Sequence, residues 1–173
     1  MTEKEVMDQL PGARDLGEAS LIPKDIHSII RQIPLFQDLS ASELQALEHF
    51  LYVYKVKRGA VVFREGEPTD YMLIVAEGAV RILKRDEHNE EKLIAVAERG
   101  NTLGEMALLD GGPRSATCVA DQDTTFIALT RSRFGELTQA YPVLALRVLI
   151  RLGSALSRRL RRVNEQLVEL LDV

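Results

Sequence analysis

Only one cysteine, Cys118, stands in the whole chain, which excludes an internal disulfide and a thiolate-rich metal site. Set in an alanine-bearing run with strand character, it reads as core filler. No apolar run approaches the ~18 residues of a membrane-spanning helix, so no membrane partner is expected. Residues 1–20 carry Glu3, Glu5, Asp8, Pro11 and Asp15 without an apolar block. A secretory signal is therefore excluded and the cytoplasm is the expected location. Histidine is scarce as well: His27, His49 and His88 fall in an N-terminal helix, at a helix end and at a hairpin tip, where they cannot form a strand-borne metal triad. Nor does the sequence hold a Gly-x-x-x-x-Gly-Lys-Ser/Thr loop to grip a triphosphate. Neither catalysis nor a metal or cofactor is expected.

An excess of basic charge is missing too. The net charge is −4, whereas a protein that binds DNA by neutralising phosphates carries a basic face. One local exception lies in residues 147–162, where Arg147, Arg151, Arg158, Arg159, Arg161 and Arg162 occur without an acid. Such a run reads first as a solvated helix face, and direct DNA binding is not expected.

What is present fits one globular domain: 173 residues, 46% hydrophobic and 28% charged. Residues 1–22 show no sustained period and are broken by Pro11, Gly12 and Gly17, so a flexible, partly ordered N-terminal extension is expected there. The domain proper is then 23–173. Within it, 23–51 reads as helical: Ile26, Ile29, Ile30 and Ile33 recur at helical spacing. Pro34 ends that helix, and Ser40 with Glu43 forms a capping box for a second one through Leu44, Leu47 and Leu51.

Residues 52–130 change to short β-rich runs separated by glycine or charged turns. The expected strands are 52–56, 60–64, 71–76, 79–84, 92–97, 115–120 and 124–129, with the polar stretch 86–90 as a hairpin tip. The fold class that follows is mainly β with flanking helices: an antiparallel β-roll, or jelly roll, of seven to eight strands.

Residues 131–173 return to helix, with Phe134–Tyr141 first and one long helix over 143–171 after Pro142. At about 100° per residue, Leu149, Leu152, Leu156, Leu160, Val163, Leu167 and Leu170 fall within an arc of about 80°. Their spacing implies an eleven-residue step before regular heptads, a stutter in a coiled coil. So narrow a stripe suits a two-stranded seam, and a homodimer through this helix is the expectation, docking of the helix on its own roll being the alternative.

Between two β runs, residues 100–117 break the strand rhythm. A glycine, Gly104, precedes one helical turn from Glu105 to Leu109; a Gly-Gly-Pro reversal follows, and Arg114 opens the next strand. Free amides at a helix start favour an anion, and an arginine can fork onto the same anion. Glu105 can only accept, which suits a hydroxyl beside the anion. A cyclic nucleotide offers that pairing, a singly charged phosphodiester next to a ribose 2′-hydroxyl.

The segment Leu103-Gly104-Glu105-Met106-Ala107-Leu108, followed by Arg114-Ser115-Ala116, resembles the phosphate-binding cassette of cyclic-nucleotide-binding domains. These occur in the catabolite activator protein family and in cAMP-dependent kinase regulatory subunits. The family's leading aromatic is Leu103 here. The resemblance extends over roughly residues 30–173 and includes Ile33-Pro-Leu-Phe36, Gly59, Glu65-Gly66 and 71–78.

The resemblance implies a ligand, cAMP or cGMP, contacted by Gly104, Glu105, Met106, Ala107, Arg114, Ser115 and Ala116. Glu105 would take the ribose hydroxyl, Arg114 the phosphate, and the amides of Ala107 and Ser115 the phosphate oxygens. Ser115's hydroxyl leaves three roles open: touching phosphate, touching a guanine, or fitting a strand. In the activator family the long helix dimerises and supplies polar contacts to the base, which makes Asn164 the candidate here. There a helix-turn-helix domain follows that helix; none follows within these residues, so the expectation is a receptor acting through an effector protein. A ligand-free dimeric module, or the sensor part of a truncated regulator, is the alternative.

Overall fold

The structure is a computed structural model that describes residues 10, 12–21 and 24–171. Nine strands occur among the described residues: β1 (Arg14–Glu18), β2 (Tyr52–Val56), β3 (Val61–Phe63), β4 (Tyr71–Glu77), β5 (Ala79–Arg85), β6 (Glu91–Glu98), β7 (Thr102–Leu103), β8 (Thr117–Ala120) and β9 (Thr124–Thr130). They form two antiparallel sheets, ordered β1-β2-β9-β4-β7 and β3-β8-β5-β6. Five helices accompany them: α1 (Lys24–Gln32), α2 (Ala41–Glu48), α3 (Glu105–Asp110), α4 (Arg131–Ala140) and α5 (Pro142–Leu171). This is the expected roll with flanking helices.

Burial explains why the sequence shows little alternation in the central strands. In β4, Tyr71, Leu73 and Val75 join the core between the sheets, while Met72, Ile74 and Ala76 join a second core against the helices. A strand covered on both faces reads as one continuous apolar run. The helical layer contributes Ile29, Ile30, Ile33, Leu44, Leu47 and Leu137 to that second core. Ile26, placed on the same helix face by its spacing, has a side chain outside the described residues.

The capping box is present: Ser40 Oγ accepts from the Glu43 amide at 3.2 Å, and Glu43 accepts from the Ser40 amide at 2.9 Å. α2 stops at Glu48, so Leu51 is buried just before β2 rather than inside the helix. At α4 the Thr130 side chain accepts from the Arg133 amide, which starts that helix three residues earlier than Phe134.

Part of the expected flexible extension is ordered. β1 pairs with β2, with a bulge between Asp15 and Gly17 where the Gly17 amide donates to Asp15 Oδ1 at 2.7 Å. The bulge interrupts the period of two and hides the strand. The rest of that extension, residues 1–9, 11 and 22, lies outside the described residues. β8 begins at Thr117 instead of Ser115, because Arg114 leaves the ladder. Its amide donates to the Glu67 carbonyl at 3.0 Å, and its carbonyl accepts from the Gly66 amide at 2.8 Å.

The long helix corrects the expected stripe. Leu144, Ala145, Val148 and Leu152 are buried against the helical core, whereas Leu160, Val163 and Leu167 are 61%, 52% and 53% exposed. Leu152 thus faces its own domain and does not belong to the exposed apolar row. With Gly153 in its place, Leu146, Gly153, Leu160 and Leu167 repeat every seven residues, as do Leu149, Leu156 and Val163. The exposed apolar row of α5 follows a regular heptad spacing without a stutter. Leu170, expected on it too, has a side chain outside the described residues.

Among the described residues, no helix is long and apolar enough to cross a membrane. No group of three or more His, Cys, Asp or Glu among them could hold a metal ion.

Candidate functional site

The two-residue strand β7 pairs with β4 and delivers the chain to Gly104, whose φ of +71° lets it turn directly into α3. A second left-handed glycine, Gly111, closes α3 after six residues. The chain then runs back through Pro113 to Arg114, whose backbone is clamped to the Gly66–Glu67 turn. These turns leave a small, partly open cleft. Gly104, Glu105, Met106, Ala107, Arg114, Ser115 and Ala116 all line it, together with Phe63, Ile82, Leu103, Cys118 and Arg159.

Arg114 is 3% exposed, an unusual state for a cation. Its Nη1 donates to the Gly104 carbonyl at 3.0 Å and its Nη2 to the Tyr71 carbonyl at 2.7 Å. The guanidinium carbon lies 4.1 Å from the Phe63 ring centroid and 4.5 Å from that of Tyr71. Two aromatic faces and two carbonyls therefore hold the cation in place. Its Nε is buried without a partner. Burial lowers the Arg114 pKa from its ordinary value, and the neighbouring Tyr71 opposes that shift. Burial also raises the Tyr71 hydroxyl and the Cys118 thiol to about 12 each.

Glu105, the first residue of α3, is 1% exposed. Its Oε1 accepts from Arg159 Nη1 at 2.6 Å, while Oε2 is buried with no partner. Arg159 comes from α5 and also donates through Nη2 to the Thr102 carbonyl at 3.1 Å. Sequence reasoning placed Arg159 in a solvated arginine run and missed it as a site residue. A clue existed: Ala145, Leu152 and Arg159 repeat every seven residues on the helix face turned toward the domain.

The cleft does not include Asn164 of the same chain, which is exposed five residues beyond Arg159. Of the other arginines in the run, Arg147 pairs with Glu43 at 2.7 Å and Arg151 pairs with Asp38. Three of the six thus tie α5 to the domain.

The cyclic nucleotide-binding domain model matches residues 53–141. The chain is 32% identical over 134 residues to the cyclic AMP receptor protein of Thermus thermophilus, covering 78% of this chain and 60% of that protein. It is 29% identical over 143 residues to a CRP-like cAMP-activated global transcriptional regulator of Mycobacterium tuberculosis, covering 83% of this chain and 62% of the regulator. The chain thus spans about 60% of the length of these curated relatives. Among solved structures, a cyclic nucleotide-binding domain from Methylobacillus flagellatus superposes with a TM-score of 0.82 at 34% identity, covering 92% of this chain and 89% of that one.

Proposed function

The chain belongs to the cyclic nucleotide-binding domain family, and from that premise we propose that it is a receptor for cAMP or cGMP that signals through a partner protein and performs no catalysis. One observation carries the reading. A buried donor-only group, Arg114, and a buried acceptor with a free oxygen, Glu105 Oε2, line one cleft. A phosphodiester next to a free 2′-hydroxyl satisfies both, the phosphate meeting N–H groups of Arg114 and the hydroxyl donating to Glu105.

Charge favours the same ligand. Arg114 and Arg159 oppose the single carboxylate of Glu105, which leaves one net positive charge for a monoanionic phosphodiester. An open 5′-monophosphate carries up to two negative charges at neutral pH and suits the cleft less well.

The output of the receptor is a homodimer through α5. Leu160, Val163 and Leu167 are apolar, exposed and in a heptad frame, which is what a two-stranded seam requires. In a parallel coil, positions flanking the seam face one another across it, so Asn164 of the partner subunit would lie beside Arg159 at the mouth of the cleft. That arrangement gives Asn164 a path to a bound base although it is remote from the cleft of its own chain. Location in the cytoplasm and action on an effector protein belong to this same reading.

Calorimetric titration of the protein with cAMP, cGMP and 5′-AMP tests the proposal. Saturable binding of at least one cyclic nucleotide, tighter than that of 5′-AMP, supports it; equal or absent binding of all three contradicts it.

A further inference from the structure

We propose that Lys84 is a positioning residue for phosphate recognition: anchored by Glu65, it holds the Ser115 carbonyl so that the backbone of this cleft residue keeps its aim at one exocyclic oxygen of a cyclic phosphodiester. This rests on the receptor reading above and adds to it an ion pair from outside the cassette.

Side chains on one face of a strand recur every second residue. On β5 that face carries Val80 in the core between the sheets, Ile82 in the wall of the cleft, and then Lys84, which reaches Ser115 at the rim. The Lys84 ammonium donates to the Ser115 carbonyl at 2.8 Å and also to Glu65 Oε1. An ammonium carries several donors on one atom, so one lysine serves carboxylate and carbonyl together. Glu65 is fixed in turn: its Oε2 accepts from the Arg85 amide at 3.2 Å, and its own amide donates to Thr117 Oγ1 at 3.0 Å. The Lys84 hydrogen bond and, after it, the Arg85 amide hold the Glu65 carboxyl below its ordinary pKa, so the pair is charged at neutral pH.

Ser115 stands where such a hold matters. It is exposed, between Arg114, whose backbone is bonded to the Gly66–Glu67 turn, and Thr117, where β8 begins. Outside the ladder, its carbonyl takes from Lys84 the hydrogen bond that a neighbouring strand would otherwise supply. The Lys84 side chain is 47% exposed, so its removal leaves no cavity in the core. The pair brings no net charge to the cleft, which separates positioning from simple attraction. Were Lys84 to act through its charge alone, Glu65→Gln would unmask that charge and tighten the binding of an anion. As the anchor of Lys84, Glu65 is needed, and its loss weakens binding.

The test titrates wild type, Lys84→Met, Lys84→Arg and Glu65→Gln with the tighter-binding of cAMP and cGMP and with the two phosphorothioate diastereomers of that nucleotide. In each diastereomer sulfur replaces one exocyclic oxygen and accepts an N–H less well. Lys84→Met should weaken the parent nucleotide by about three- to tenfold, the size of one hydrogen bond, and Glu65→Gln by about threefold. In both variants the penalty for sulfur should shrink in one diastereomer, that with sulfur toward Ser115, and stay within about twofold of its wild-type value in the other. Lys84→Arg should restore part of the affinity lost in Lys84→Met. If the methionine variant loses its circular dichroism spectrum, Glu65→Gln decides by the same measures. Equal weakening of all three compounds marks a merely structural role and overturns the inference. So do unchanged affinities in Lys84→Met, tighter binding by Glu65→Gln, or a wild type that binds the three compounds alike, and each of these results leaves the receptor reading intact. A wild type that binds neither cAMP nor cGMP overturns the receptor reading and this inference with it.

Discussion

The Gly104 carbonyl accepts from Arg114 Nη1 at 3.0 Å, and a Cβ on that same glycine would overlap the same nitrogen. The cassette's turn and its cation are therefore fitted to one another at backbone distance. Gly104→Ala meets two penalties at once, a φ of +71° and displacement of Arg114, and positive φ alone costs about 1–2 kcal/mol for a residue with a Cβ. The variant should melt several degrees lower and bind cAMP at least about tenfold more weakly. Unchanged melting and affinity would show that this fit does not matter.

Glu105→Gln keeps an acceptor of the same shape and loses the charge, whereas Glu105→Ala removes both. A hydrogen bond to a charged group is worth about 1.5–3 kcal/mol, so alanine should weaken cAMP binding by roughly 10–150-fold and glutamine by clearly less. Competition against a fluorescent cyclic nucleotide gives the order. Equal affinities in all three proteins would remove Glu105 from the contact.

Cys118 lies 2% exposed at the base of the cleft with its thiol raised to about 12 by burial. At pH 8 the thiolate is then on the order of one part in ten thousand of the folded thiol, and the thiolate is the reactive form. A disulfide reagent should leave the native protein unlabelled over an hour and label it once per chain in denaturant. Rapid labelling of the native protein would contradict this burial.

Leu160 and Leu167 are more than half exposed in the single chain, so charged substitutions there spare its core. Leu160→Glu with Leu167→Glu should convert a dimer into a monomer in sedimentation at tens of micromolar, with little change in melting measured at high dilution. Wild type that sediments as a monomer with and without nucleotide would eliminate the seam.

Much of this molecule is legible in its residues, and the exceptions have physical causes. β2 spans the expected residues Tyr52–Val56, and the Ser40–Glu43 box is in place. Both rest on local chemistry, a β-branched and aromatic run in one case and two reciprocal hydrogen bonds in the other. β1 is hidden because its bulge at Gly17 destroys the alternation, and it is stabilised by pairing with a strand far away in sequence. The cassette residues Gly104 to Ala107 and Arg114 to Ala116 are brought together as the motif implied. Arg159 was not, because a run of arginines looks uniform until the packing of Leu152 fixes which face turns inward. The same packing moves the exposed heptad row from Leu152 to Gly153.

Arg114 bears the central claim, since a cation buried to 3% exposure beside an unpaired carboxylate oxygen is costly unless an anionic ligand uses it. The most direct measurement is a calorimetric titration of wild type and Arg114→Ala with cAMP. Losing one partner of a buried, charge-assisted pair commonly costs about 2–5 kcal/mol, so the variant should bind at least about 30-fold more weakly than wild type while remaining folded. A folded Arg114→Ala protein that binds cAMP as wild type does would contradict the assignment of this cleft.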